Sequence, residues 1–87
     1  MEPKKVIIVV AERDCCTGNG GTDIHVKACD DRKSAAEWLE SSYNTEAEWH
    51  GWPTTGVCAA DIEDGYELVS PESDPDHDYK WKVQFIY

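Results

Sequence analysis

The chain has 87 residues and a formal net charge of −10, from 18 acidic and 8 basic side chains. That length fits one domain, residues 1–87, with a modest core and no deep cleft. The charge argues against direct contact with nucleic acid or an anionic membrane, and for a basic partner if electrostatics matter to function. Hydrophobic residues at 40%, including four Trp and four Tyr, give enough apolar surface to fold, which argues against global disorder.

The first segment, KKVIIVVAER, holds a β-branched run from Val6 to Val10. A run without polar interruption predicts a central strand covered on both faces. It is too short to span a membrane and does not read as a signal peptide, so a cytoplasmic protein with reduced thiols is expected. A Gly-rich stretch, DCCTGNGGTD, reads as a hairpin loop. DIHVKACD then alternates, with Ile24, Val26 and Ala28 on one face and His25, Lys27 and Cys29 on the other. It predicts a second strand, antiparallel to the first.

The period changes in DDRKSAAEWLESSYN. Ala35, Trp38, Leu39, Ser42 and Tyr43 form one helical stripe, with Asp30 or Asp31 placed to cap it. Thr45 and Glu48 have capping-box spacing, which suggests a second short helix or a bent continuation, closed by Gly51 and Pro53. TGVCAADIEDGYELVSP reads as a hairpin, with strands near Val57–Glu63 and Tyr66–Ser70 around an Asp64-Gly65 turn. After an acidic loop comes YKWKVQFIY, with Tyr79, Trp81, Val83, Phe85 and Tyr87 on one face, the clearest strand in the chain. The order ββ-α-βββ predicts an α+β fold: an antiparallel sheet of four to five strands with one main helix packed on one face.

Motifs for chemistry are weak. The glycines after the first strand lack the Lys-Ser/Thr pair and the following helix that a phosphate loop requires. Cys15 and Cys16 are adjacent, Cys29 and Cys58 stand alone, and none has the paired spacing of a structural zinc site, although Cys15, Cys29 and Cys58 could meet in three dimensions. Whether any of the thiols pair stays open. No base is placed beside a thiol by sequence, so cysteine catalysis finds no support. Asp74, Asp76 and Asp78 match the start of an EF-hand loop, but Tyr79 stands where Gly is needed and Phe85 where the bidentate Glu is needed. No enzyme activity, catalytic residue, resident metal or cofactor is expected.

The acids themselves are segregated. Between Ser34 and Tyr79 there is no Lys or Arg. Within that stretch Asp61, Glu63, Asp64 and Glu67 form one cluster, and Glu72, Asp74, Asp76 and Asp78 occupy alternate positions. Pro71 and Pro75 favour extended backbone for the residues before them. Alternate side chains on an extended chain lie about 6–7 Å apart. Two nucleotide steps along a DNA strand rise about 6.8 Å. The row is therefore read as an extended edge of carboxylates with phosphate-like spacing, and these eight acids are the candidate partner-binding residues.

Small size, strong acidity, the clusters DIEDGYE and PESDPDHDY, the ββ-α-βββ pattern and the lack of an active-site motif together resemble a known class. These are the small inhibitors that phages and mobile elements deploy against host defence, of the anti-CRISPR or DNA-mimicking anti-restriction type. The resemblance implies a protein in the host cytoplasm that occupies the basic nucleic-acid channel of a Cas or restriction nuclease and blocks DNA binding. It also implies aromatic anchors at the rim, for which Tyr66, His77 and Tyr79 are candidates. Two alternatives stand beside it. One is a general interaction module that is acidic for solubility and binds through Trp49, Trp52 or a sheet edge. The other is a weak calcium- or zinc-binding protein.

Overall fold

The computed structural model describes residues 2–14 and 22–87. The Gly-rich loop with Cys15 and Cys16 lies outside the described residues. Strands β1 (Lys5–Asp14), β2 (Thr22–Cys29), β3 (Glu67–Val69) and β4 (His77–Ile86) form an antiparallel sheet of order β2-β1-β4-β3. One helix, α1 (Arg32–His50), packs against one face. The fold is α+β, with ten-residue β1 and β4 at the centre of the sheet.

β1 is central, but its two faces differ. Val6, Ile8 and Val10 are buried beneath the helix layer, whereas Ile7 and Val9 are half-buried. Cover on both faces would need a second helical layer, and α1 lies on one face alone. The register pairs Ile7 with Ala28, Val9 with Val26 and Ala11 with Ile24. The apolar face of β2 therefore lies on the open side of the sheet, where Ile24 and Val26 are 65% and 66% exposed. On the helix side β2 adds Cys29 to the core.

α1 starts at Asp31, whose Oδ1 accepts from the Ser34 N–H at 2.7 Å. This satisfies one of the free N–H groups at the helix start. Ala35, Leu39, Tyr43 and Ala47 recur every four residues and are buried. The helix does not break at Thr45. Its Oγ1 donates to the Ser41 carbonyl at 2.8 Å, so the side chain back-bonds within the helix instead of capping a new one. Gly51 ends the helix with φ of 73°, and the N–H of Trp52 bonds to the Ala47 carbonyl. That left-handed turn is the usual reason for glycine at this position.

No strand forms over Val57–Glu63. Val57 and Ile62 are buried, and between them Ala59–Asp61 makes a 3-10 turn. Asp61 closes that turn by accepting from the Cys58 Sγ at 2.9 Å and from the Cys58 N–H at 3.4 Å. The Asp64-Gly65 turn is present, with Gly65 at φ of 82° and the Tyr66 N–H bonded to the Glu63 carbonyl. It delivers the chain to β3, which pairs with β4 through Glu67–Lys82, Leu68–Trp81 and Val69–Lys80. The hairpin expected across 57–70 is thus replaced by pairing with the terminal strand.

β4 follows its alternation closely. Tyr79, Trp81 and Val83 are buried and Phe85 is half-buried; Tyr87 lies beyond the strand and is exposed. Trp81 is fully buried, meets Tyr43 edge-on at 5.3 Å between centroids, and donates its Nε1–H to Ser42 at 2.9 Å. Burying such side chains contributes roughly 1.5–3 kcal/mol each. Among the described residues, no helix is long and apolar enough to cross a membrane.

Candidate functional site

The segment between β3 and β4 is not the extended edge its prolines suggest. The Asp74 N–H bonds to the Pro71 carbonyl at 3.1 Å and the His77 N–H to the Asp74 carbonyl at 3.4 Å, which makes two successive turns. Alternate side chains on successive turns do not share one line, so phosphate-like spacing of Glu72, Asp74, Asp76 and Asp78 is lost. The physical cause is local. A turn lets Asp74 reach inward to polar partners that an extended chain would leave behind.

Asp74 accepts from the indole N–H of buried Trp52 at 2.8 Å. Both of its carboxylate oxygens lie 2.9 Å from His77 Nδ1. An ionised carboxylate only accepts, so Nδ1 carries the proton in this contact. The Trp52 bond first, and the His77 bond second, hold the Asp74 pKa below the usual carboxylate range. Ser70 supports the same corner: its hydroxyl donates to the His77 carbonyl and accepts from the Tyr79 N–H, both at 3.0 Å.

His50 completes the corner from the last turn of α1. Its ring lies 4.1 Å from that of His77 and stacks on Trp52 at 4.8 Å between centroids. Its Nε2 is 3.4 Å from Glu46 Oε2, one helical turn earlier. Tyr79 closes the cluster edge-on to Trp52 and to His50, each at 5.5 Å. His50, Asp74 and His77 each offer a ligand atom within 4.8 Å of the others. Among the described residues this is the one such group; Asp74, Asp76 and Asp78 do not form an EF-hand-like set. The spacing Asp74-x-x-His77 was the available local signal, but His50 joins through tertiary structure alone.

The remaining predicted site residues divide among three places. Asp61, Glu63 and Asp64 are exposed around the turn before β3, although Asp61 is engaged with Cys58, which lowers its pKa. Glu72 and Asp76 are exposed, one on each of the two successive turns before β4. The Gly65 N–H bonds to the Val83 carbonyl, so the first group sits beside Val83 and the second beside His77, roughly 20 Å apart along β4. Glu67 and Asp78 lie on the open sheet face, opposite Lys82 and Arg13 in register. Of the expected anchors, Tyr79 is buried and Tyr66 and His77 are half-buried. Trp52 is buried, whereas Trp49 is 82% exposed.

Charge is unevenly spread over the sheet and the helix. Lys5, Arg13, Lys80 and Lys82 share the open sheet face with Ile7, Val9 and Val26, as strand alternation requires. From Ser34 to Asp76, which spans α1 beyond its first two residues Arg32 and Lys33 and the connections up to β4, there is no Lys or Arg. The His50–His77 and Trp52–Asp74 contacts bring Glu48 and Trp49 to the same end of the molecule as Glu72 and Asp76. Cys29 and Cys58 are free thiols, and burial pushes the Cys29 pKa up. No protein-family model, curated protein or solved structure matches the chain.

Proposed function

We propose that the protein is a small acidic inhibitor that binds the basic nucleic-acid-binding surface of a host defence nuclease and blocks DNA binding, in the manner of anti-CRISPR or DNA-mimic proteins. The supporting observation is the absence of Lys and Arg from Ser34 to Asp76, the segment that builds the helix layer beyond Arg32 and Lys33 and both acidic turns. Such a layer attracts a basic channel and speeds encounter with it, and the attraction weakens with salt. Glu48, Glu72 and Asp76, with Trp49 as an apolar anchor, make the contact surface at one end. Asp74 serves that surface indirectly, because its carboxylate is held by Trp52 and His77.

The test is competition with DNA for a purified Cas or restriction nuclease at low and high salt. The expected result is loss of DNA binding that weakens steeply as salt rises. Reversal of Glu72 and Asp76 to Lys should remove it while the fold persists. Unchanged DNA binding across such nucleases, or inhibition indifferent to salt, overturns the proposal.

A second reading has its own observation: the open sheet face exposes Ile24, Val26 and Val69. A general interaction module would bind there. Its binding would survive the charge reversals and fail with Val26→Asp.

A further inference from the structure

The geometry points to a divalent transition-metal site formed by His50, Asp74 and His77, with zinc the best match. One ligand atom from each residue lies within 4.8 Å of the others. Tetrahedral zinc with bonds of about 2.0–2.2 Å holds its ligands roughly 3.4 Å from one another, so closure needs side-chain shifts on the order of an ångström. Two imidazoles and a carboxylate suit zinc and its neighbours; magnesium and calcium prefer oxygen alone.

The surroundings add to the ligand count. Metal-binding residues are commonly held by outer partners that fix ring and carboxylate orientation. Here Glu46 lies 3.4 Å from His50 Nε2, and the Trp52 indole N–H holds Asp74 Oδ2 at 2.8 Å. All three ligand residues are half-buried, against the rings of Trp52 and Tyr79. Asp74 and Glu46 supply negative charge against the cation. The ligands come from the end of α1, the turns after β3 and the first residue of β4. A bound ion would therefore cross-link the acidic turns to the helix, and metal would set how firmly those turns are held.

The experiment is titration of metal-stripped full-length protein with zinc chloride by calorimetry, with cobalt(II) absorption as a reporter of donor type. The site predicts one ion per chain, a raised melting temperature, and a cobalt spectrum without thiolate charge transfer. His50→Ala and His77→Ala should each weaken binding by more than about tenfold. No heat, a thiolate band, or unchanged affinity in both variants overturns the inference. If either variant fails to fold, histidine ring signals of the wild type decide the matter. Zinc should shift those of His50 and His77 and leave His25 in place; shifts of all three, or of none, count against the site.

Discussion

The indole N–H of Trp52 donates to Asp74 Oδ2 at 2.8 Å, joining the exit of α1 to the turns that precede β4. One residue beyond the helix cap thereby fixes the shape of the most acidic loop. Trp52→Phe keeps most of the buried ring and removes the donor. The turns should then lose protection in amide hydrogen exchange and the melting temperature should fall, while the β1–β4 ladder keeps its protection. Equal loss of protection across the sheet would show that Trp52 acts through packing instead.

Trp81 is the centre of the core, fully buried against Tyr43 and bonded to Ser42. Trp81→Ala should cost about 3–5 kcal/mol, since it leaves a cavity and strands the Ser42 hydroxyl. Domain stabilities are commonly about 5–15 kcal/mol, so this is a large share. Denaturant unfolding, read as a lower midpoint at unchanged slope, checks it.

Gly51 holds φ of 73° with open space where a Cβ would stand. Gly51→Ala therefore meets no clash with other residues, and its cost is the left-handed backbone alone, about 1 kcal/mol. Asn, which tolerates that conformation, should cost less. Chemical denaturation of the two variants side by side gives the comparison.

The Asp31 carboxylate is held below its ordinary pKa, chiefly by the backbone N–H of Ser34. A carboxylate with a depressed folded pKa adds stability that is present above the unfolded value, about 3.9, and is lost as pH falls through the lower folded value. Wild type should therefore lose helix-start stability on acidification through that window. Asp31→Asn, which still caps but does not titrate there, should lack this component of the pH dependence. Parallel acid titrations followed by circular dichroism test the difference.

Glu72 and Asp76 are exposed and take no part in the core. Replacing both with Lys should change stability by less than about 0.5 kcal/mol for each site. Thermal melts should then nearly overlay those of wild type. A large drop would mean that the turns depend on these acids for their fold, and the reversal would no longer report on partner binding alone.

Much of the architecture was legible from local pattern. Alternation marks β4 from Tyr79 to Phe85, the helical stripe of Ala35, Trp38, Leu39, Ser42 and Tyr43 marks α1, and the β-branched run marks β1. These signals survive because each element buries one stripe whatever its neighbours are. Segment 57–63 carries weaker signals, and competition decided it. Asp61 closes on Cys58, Ile62 enters the core, and the β3 backbone finds its partners on β4.

What the sequence alone determined is the α+β framework, the central first strand and the absence of Lys and Arg between Ser34 and Tyr79. Only the tertiary structure decided which side of the sheet the helix covers, and hence that Ile24 and Val26 are left on the open face. It alone turned Asp74 away from the acidic row and set His50 beside His77. The reason is physical: a stripe is a property of neighbours in sequence. A hydrogen bond between Trp52 and Asp74, or contact between two distant imidazoles, exists only after the helix end and the loop have been packed together.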